Sequence, residues 1–268
     1  VKLVDGVRSQ FSRLAELSGT TLDKLETERK DAIRNGTITY RTLEQDHRHQ
    51  SRVKWSIWLY DSFLTANPLR MIYNWSPFVL LSGAIPYYNT ETPHDLGRLL
   101  DILCRVHAVQ LFHHGMFNSD PHPGNVLLLK DGRLGLIDYG QVKEMGLQER
   151  INYARLILAL SRDDKEEIVR IHFQDLGAIT QYKKKDIAYL FSSFYNDRMT
   201  KDICGDHNIA TFIDFLESQD KMIQLPEDYI MASRVNILLR GMGNAFGLQL
   251  YMSQLWSPDA HEFLKKHG

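Results

Sequence analysis

Apolar residues recur at three- and four-residue spacing along most of the chain, and the pattern predicts a mainly helical protein. Residues 8–17 and 21–34 carry it first (Phe11, Leu14, Leu17, then Leu22, Leu25, Ile33) and close at Asn35-Gly36. Thr92-Pro93 supplies an N-cap and a first-turn proline for a long amphipathic helix through Leu96, Leu99, Leu100, Leu103, Val106 and Leu111 toward Gly115. His113 and His114 end it, where cationic side chains favour the helix dipole. The second half reads as helices near 146–161, 164–176, 184–199, 208–220, 227–247 and 253–266, punctuated by Asp163, Gly177 and Pro226.

Two places break the helical period. Val1 to Val4 looks like the tail of a buried strand running into an Asp5-Gly6 turn. Val126–Leu129 and Leu134–Ile137 flank Lys130-Asp131-Gly132-Arg133, the pattern of a hairpin turning at Asp-Gly.

Between these regions lie a polar stretch and an aromatic one. Arg41 to Lys54 is polar and mixed in charge; its His47 and His49 have no carboxylate or cysteine cluster for metal and read as a solvated helix face. Trp55, Trp58, Tyr60, Phe63, Tyr73, Trp75, Phe78, Tyr87 and Tyr88 then crowd together, and no charged residue occurs between Arg70 and Glu91. Prolines, a glycine and asparagines interrupt that run. A buried helical insertion is the first reading, with a membrane-contacting interfacial segment and a membrane crossing as alternatives. Base stacking is disfavoured, because the segment lacks the Lys and Arg that track a phosphate backbone.

Composition narrows the class. The 268 residues, 43% hydrophobic and 24% charged, exclude disorder and allow one large or two small globular units. Lys and Arg number 32 against 33 Asp and Glu, which argues against a general nucleic-acid or acidic-lipid binder, since these usually carry a clear cationic excess. Cys104 and Cys204 cannot build a disulfide framework and read as core thiols.

The chemistry concentrates between Asn118 and Gly140. Asp120 and Asn125 precede the first strand of the hairpin and Asp138 follows the second, so three oxygen-bearing side chains meet at one end of it. Such ligands suit Mg2+, which takes one or two carboxylates plus substrate phosphates. The Asp120-to-Asn125 spacing matches that from the catalytic Asp to the metal-binding Asn of protein kinases, and Asp138-Tyr139-Gly140 stands where D-F-G is expected. The bland reading makes Asp120 and Asn125 turn formers and Asp138 a helix cap; the ordered spacing around a hairpin weighs against it.

Ser119-Asp120-Pro121-His122-Pro123-Gly124-Asn125, followed by Leu136-Ile137-Asp138-Tyr139-Gly140, resembles the D-P-H-P-G-N and L-x-D-[FHY]-G signature of the UbiB family of aarF-domain, atypical kinase-like proteins. Leu3-Val4-Asp5-Gly6-Val7 is similar to the family's hinge strand, and Arg234 to Gly247 resembles its closing helix. The resemblance implies a mainly α, kinase-like helical C-lobe over 92–268 with a small β-hairpin at the active site. It also implies a hinge-strand remnant at 1–7, an aromatic-rich helical insertion at 8–91, and no N-lobe sheet.

Carried over by residue, the resemblance implies that Asp120 is the catalytic-loop Asp and that Asn125 and Asp138 bind Mg2+ bridging ATP phosphates. Leu127 would floor the adenine site, and the backbone at Leu3, Val4 and Asp5 would form the hinge edge. His122 would take the place of a kinase lysine near the phosphates or would be purely structural. The N-lobe, with its lysine, glutamate partner and nucleotide loop, is expected upstream of Val1; if Val1 is the natural start, weak nucleotide binding follows. Only Gln141 to Gly146 separate Asp138-Tyr139-Gly140 from the next helix, too little to dock a peptide, which favours ATP hydrolysis or a small-molecule or lipid-linked acceptor. The family setting implies a mitochondrial or plastid membrane and coenzyme Q or isoprenoid-quinone homeostasis, with lipid contact through 55–88. A pseudokinase scaffold is the competing reading. A sugar or aminoglycoside phosphotransferase fits less well, because Ser119 precedes Asp120 where that class carries His-x-Asp.

Overall fold

Helical periodicity is a local property, and it is largely realised in the structure, a computed structural model that describes residues 2, 3, 5, 6, 9, 12, 15, 20–34, 40–77, 79, 83–90, 94–129 and 133–268. Helix α1 is Leu22–Arg34. Strand β1 (Arg41–Thr42) runs into α2 (Leu43–Leu59), which opens with a capping box: Gln45 N donates to Thr42 Oγ1 and Thr42 N to Gln45 Oε1. A π-helical turn, Tyr60–Leu64, and α3 (Asn67–Asn74) follow. Helix α4 (Leu96–Ala108) continues as a π-helical turn, Val109–His114, and stops at Gly115 with φ 76°. Its N-cap is Asp95, which accepts from Arg98 N; the cap expected at Thr92-Pro93 lies outside the described residues.

The small strands come next: β2 (Met116–Asn118), β3 (Val126–Leu128), β4 (Leu134–Leu136) and β5 (Val142–Glu144). The rest is helical: α5 (Leu147–Ser161), α6 (Lys165–Arg170) with a π-helical turn to Asp175, β6 (Ile179–Thr180), α7 (Lys185–Asn196), α8 (Lys201–Cys204) and α9 (Ile209–Gln219). Strand β7 (Met222–Gln224), α10 (Glu227–Ala245), β8 (Leu248–Gln249) and α11 (Met252–His267) complete the chain. The cap expected at Asp163 moves one residue: Asp164 accepts from Glu167 N, while Asp163 takes a positive φ in the preceding turn.

The hinge strand is realised at a single residue. Lys2 forms an isolated antiparallel bridge with Leu127, but Leu3, Asp5, Gly6, Ser9, Ser12 and Ala15 have helical backbone, and Gly6 N donates to Lys2 O. Leu3 is buried in the main core, where helical entry points its side chain inward. Val4 lies outside the described residues.

The larger of two hydrophobic clusters among the described residues runs from Leu3 through α4, α5, α10 and α11, with α11 packed chiefly along α5 and α4, and a smaller one gathers Ile187, Phe194, Ile203, Phe212 and Leu216 of α7, α8 and α9. Trp256 is fully buried at the centre of the larger cluster, its indole N–H donating to Cys104 O at 2.9 Å and its ring edge-on to Phe112. Both cysteines are free thiols, and burial pushes that of Cys204 up to about 11. A polar seam crosses the interior, where Tyr153, Asn196, Tyr229, Ser233 and Asn236 hydrogen-bond one another.

The segment before α4 is tied back at its root. Strand β1 pairs in parallel with β8, and buried Asp46 of α2 bonds Arg41 at 3.1 Å while lying against Gly97. The aromatic stretch beyond differs from the buried insertion expected of it. Trp55, Trp58, Phe63, Leu64, Leu69, Ile72 and Trp75 are exposed, while Asn67 and Asn74 of α3 and Asp61 of the π-helical turn direct their side chains onto 85–90. No helix among the described residues is long and apolar enough to cross a membrane.

Candidate active site

Four short strands build the site by nesting. β2 pairs antiparallel with β5, and β3 with β4, so the loop between β2 and β3 and the loop between β4 and β5 lie side by side where the two ribbons meet. The first loop carries Asp120 and Asn125; the second carries Asp138.

Backbone and side-chain bonds close both ends of this loop pair. Ser119 N and Ser119 Oγ donate to Gln141 O at 2.9 and 2.8 Å. At the other end Ile137 N donates to Asn125 O at 3.1 Å. Between them the buried Asn118 side chain accepts from Asp120 N at 3.0 Å and donates to Asp138 O at 2.6 Å. The expected antiparallel pairing of β3 with β4 is present, the turn expected at Asp131-Gly132 lying outside the described residues, and the backbones that carry Asp120, Asn125 and Asp138 are pinned to one another. Asn118 was not singled out from sequence; its signal is an amide two residues before the catalytic-loop Asp, the reach of an Asx-type turn.

Each expected residue has a definite place. Asp120 is partly exposed and its Oδ1 sits 3.6 Å from Arg234 Nη2, a pairing with α10 that sequence reading did not anticipate. Asp138 is exposed; its Oδ1 accepts from Gly140 N at 2.8 Å, and its other oxygen bonds to no described residue. The Asn125 side chain is half-buried and likewise makes no hydrogen bond among the described residues. His122 caps a 3-10 turn over Pro123–Asn125, its Nδ1 accepting from Gly124 N at 3.1 Å. Leu127 lies between Lys2 on one side and Gly135 on the other. Tyr139 is exposed, as are its apolar neighbours Ile137 and Val142, and it does not pack inward as a D-F-G phenylalanine position would.

Downstream, Lys143 Nζ of β5 bonds Glu227 of α10 at 2.7 Å, and that carboxylate raises the lysine pKa above its ordinary value. Helix α10 thus bonds the segment after the Asp138 loop through Glu227 and places Arg234 beside Asp120. A cavity of about 130 Å³ opens behind β5, between Met145, Tyr153 and Tyr229, and does not include the three candidate residues.

The donor set fits Mg2+. Asn125 offers an amide oxygen with no hydrogen bond among the described residues, and Asp138 a carboxylate of which Oδ1 accepts from Gly140 N, both hard ligands to which nucleotide phosphates and water would add the rest. No group of three or more His, Cys, Asp or Glu that could hold a metal ion occurs among the described residues.

Comparison with known proteins converges on the same stretch. Residues 88–172 match the ABC1 atypical kinase-like domain. The chain is 27% identical to AarF domain-containing protein kinase 1 of Xenopus laevis over 174 residues, covering 60% of this chain and 33% of that protein. It is 28% identical to the probable serine/threonine-protein kinase abkB of Dictyostelium discoideum, covering 58% and 23%. It is 25% identical to the chloroplastic protein ACTIVITY OF BC1 COMPLEX KINASE 3 of Arabidopsis thaliana, covering 50% and 19%. The chain thus spans a third or less of the length of these curated relatives.

Proposed function

Because this chain belongs to the UbiB/ABC1 family of atypical kinase-like proteins, we propose that the paired loops around Asp120 and Asp138 bind a Mg2+-nucleotide and carry out phosphoryl transfer or ATP hydrolysis. The observation that carries this reading is the cross-linking of the two loops through Ser119–Gln141, Asn118 and Asn125–Ile137, which preorganises three oxygen donors. Asn125 and Asp138 would hold the metal, and Asp120 would orient the attacking hydroxyl or water and accept its proton. Bound Mg2+ supplies neutralisation of charge on the phosphoryl oxygens. Leu127 would floor the adenine, with the backbone at Leu3 and Asp5 beside it. His122, its Nδ1 committed to Gly124, would offer only Nε2 toward a phosphate.

The short link from Gly140 to α5 favours hydrolysis or a small or lipid-linked acceptor over a protein substrate. A role in coenzyme Q or other isoprenoid-quinone homeostasis, in mitochondrion or plastid, rests on the family resemblance and on the chloroplastic relative.

Calorimetric titration of the natural protein carrying this chain with ADP tests the site. Binding is expected to require Mg2+ and to weaken at least about tenfold in Asp138→Asn. Unchanged affinity in that variant would overturn the assignment of Asp138. A non-catalytic scaffold is favoured by one observation, the Arg234 guanidinium beside Asp120. In that reading Mg-ATP produces no rise in melting temperature.

A further inference from the structure

We propose that residues 55–90 form an interfacial membrane anchor, lying in the plane of an anionic bilayer without crossing it. Three independent features of the segment point to lipid.

The first is how its backbone is satisfied. Residues 84–90 have no regular secondary structure and no sheet partner among the described residues, and side chains of α3 and the π-helical turn take the place of a neighbouring strand. Asn67 bonds both N and O of Tyr88, each at 2.6 Å, and Asn74 bonds both N and O of Ile85, each at 2.8 Å. Thr90 N and Oγ1 donate to the two oxygens of Asp61 at 2.8 and 2.6 Å. Successive side chains on one helical arm thus zip the returning arm, and water is not needed at those groups. Internal satisfaction of this kind is what an apolar solvent demands.

The second is charge. From Trp55 to Thr90 the sequence has two ionisable acid or base side chains besides its tyrosines, Asp61 and Arg70. Asp61 is buried under Thr90, and Arg70 Nη1 donates to Pro86 O at 3.0 Å. The exposed large side chains are Trp, Tyr, Phe, Leu, Ile and Met, with Trp75 88% exposed, and the exposed polar ones, Ser56 and Asn89 among them, are uncharged. Tryptophan and tyrosine are the residues that favour the headgroup level.

The third is complementarity at the edge. Immediately before Trp55 lie Arg48, Arg52 and Lys54; Arg48 pairs with Glu44 and Lys54 with Asp95 at 3.2 Å, while Arg52 makes no ion pair among the described residues. Arg52 and Trp55 are exposed one helical turn apart on α2, placing a cation at headgroup height when the aromatics enter the interface. Because α2 has 17 residues and α3 eight, and no described helix is both long and apolar enough to cross a membrane, the segment would lie flat, its apolar face about 5–10 Å deep.

The four tryptophans make the test direct, since Trp256 is fully buried while Trp55, Trp58 and Trp75 are exposed. The full chain would be mixed with vesicles of phosphatidylcholine alone and of phosphatidylcholine with roughly one quarter phosphatidylglycerol. Co-sedimentation, a blue shift in tryptophan fluorescence and quenching by brominated acyl chains are expected, stronger on the anionic vesicles. Replacing Trp58, Ile72 and Trp75 together by serine should lower binding by at least about tenfold with an unchanged melting temperature. Arg52→Gln should lower it about fivefold, on anionic vesicles only. Absence of wild-type binding, or equal binding by the triple variant, would overturn the anchor. So would a concentration-dependent dimer in sedimentation velocity that the triple variant abolishes, because a second copy of the chain would then be the occupant.

Discussion

Asn118 holds Asp138 by its carbonyl and Asp120 by its amide, through the two ends of one buried side chain. Asn118→Ala leaves a partly buried backbone donor and acceptor unpaired, so urea unfolding should show a loss of about 2–4 kcal/mol. Asn118→Asp keeps the acceptor for Asp120 N but sets a carboxylate oxygen against the Asp138 carbonyl, and should recover less than half of that loss.

Arg234 and Asp120 are separated by more than a hydrogen-bond length and both are partly exposed. Arg234→Ala should therefore change stability by less than about 0.5 kcal/mol. In the phosphoryl-transfer reading it alters turnover while leaving Mg-ADP affinity within about twofold.

His172 is fully buried, with its Nδ1 3.0 Å from Ser192 Oγ, and burial lowers its pKa to about 4. The unfolded chain therefore binds a proton that the folded chain refuses between pH 6.5 and about 4. Stability due to this group is complete above pH 6.5 and falls, by roughly 3 kcal/mol in all, as pH drops through that window. Denaturant titrations from pH 7 to 4.5 should show this slope, and His172→Gln should reduce it by about one proton.

Gly97 lies inside α4 with Asp46 directly against it, and an added Cβ would stand 2.5 Å from Asp46 Oδ2. Alanine ordinarily improves a helix interior by about 1 kcal/mol. Here Gly97→Ala should instead destabilise the chain, because Asp46 is buried and tied to Arg41. Increased proteolysis between 43 and 90 would report the loosened root of α2.

Trp256 fills the core where α4, α5 and α11 meet. Trp256→Ala should cost about 3–5 kcal/mol in thermal or urea unfolding. Trp256→Phe, which loses the bond to Cys104 O and part of the volume, should cost less.

Most helices were legible because an amphipathic stripe and its caps are local. The segments read at 146–161 and 253–266 became Leu147–Ser161 and Met252–His267. The order of Asp120, Asn125, hairpin and Asp138 was legible for the same reason, since an Asp-Gly turn and two short apolar runs bring their ends together without help from the rest of the chain. Other features depended on residues far apart in sequence. No local pattern pairs Arg41 with Leu248 or brings Arg234 to Asp120. Local pattern also did not say whether Leu3 would extend or turn into a helix. The aromatic run from Trp55 to Tyr88 is apolar by composition, but whether such a face is covered depends on what packs over it. The structure leaves it outward, while Asn67, Asn74 and Asp61 direct their hydrogen bonds onto 85–90. Sequence alone therefore determined the helices and the grouping of the catalytic candidates; burial, cross-loop bonding and the exposed aromatic face were decided only by tertiary contacts.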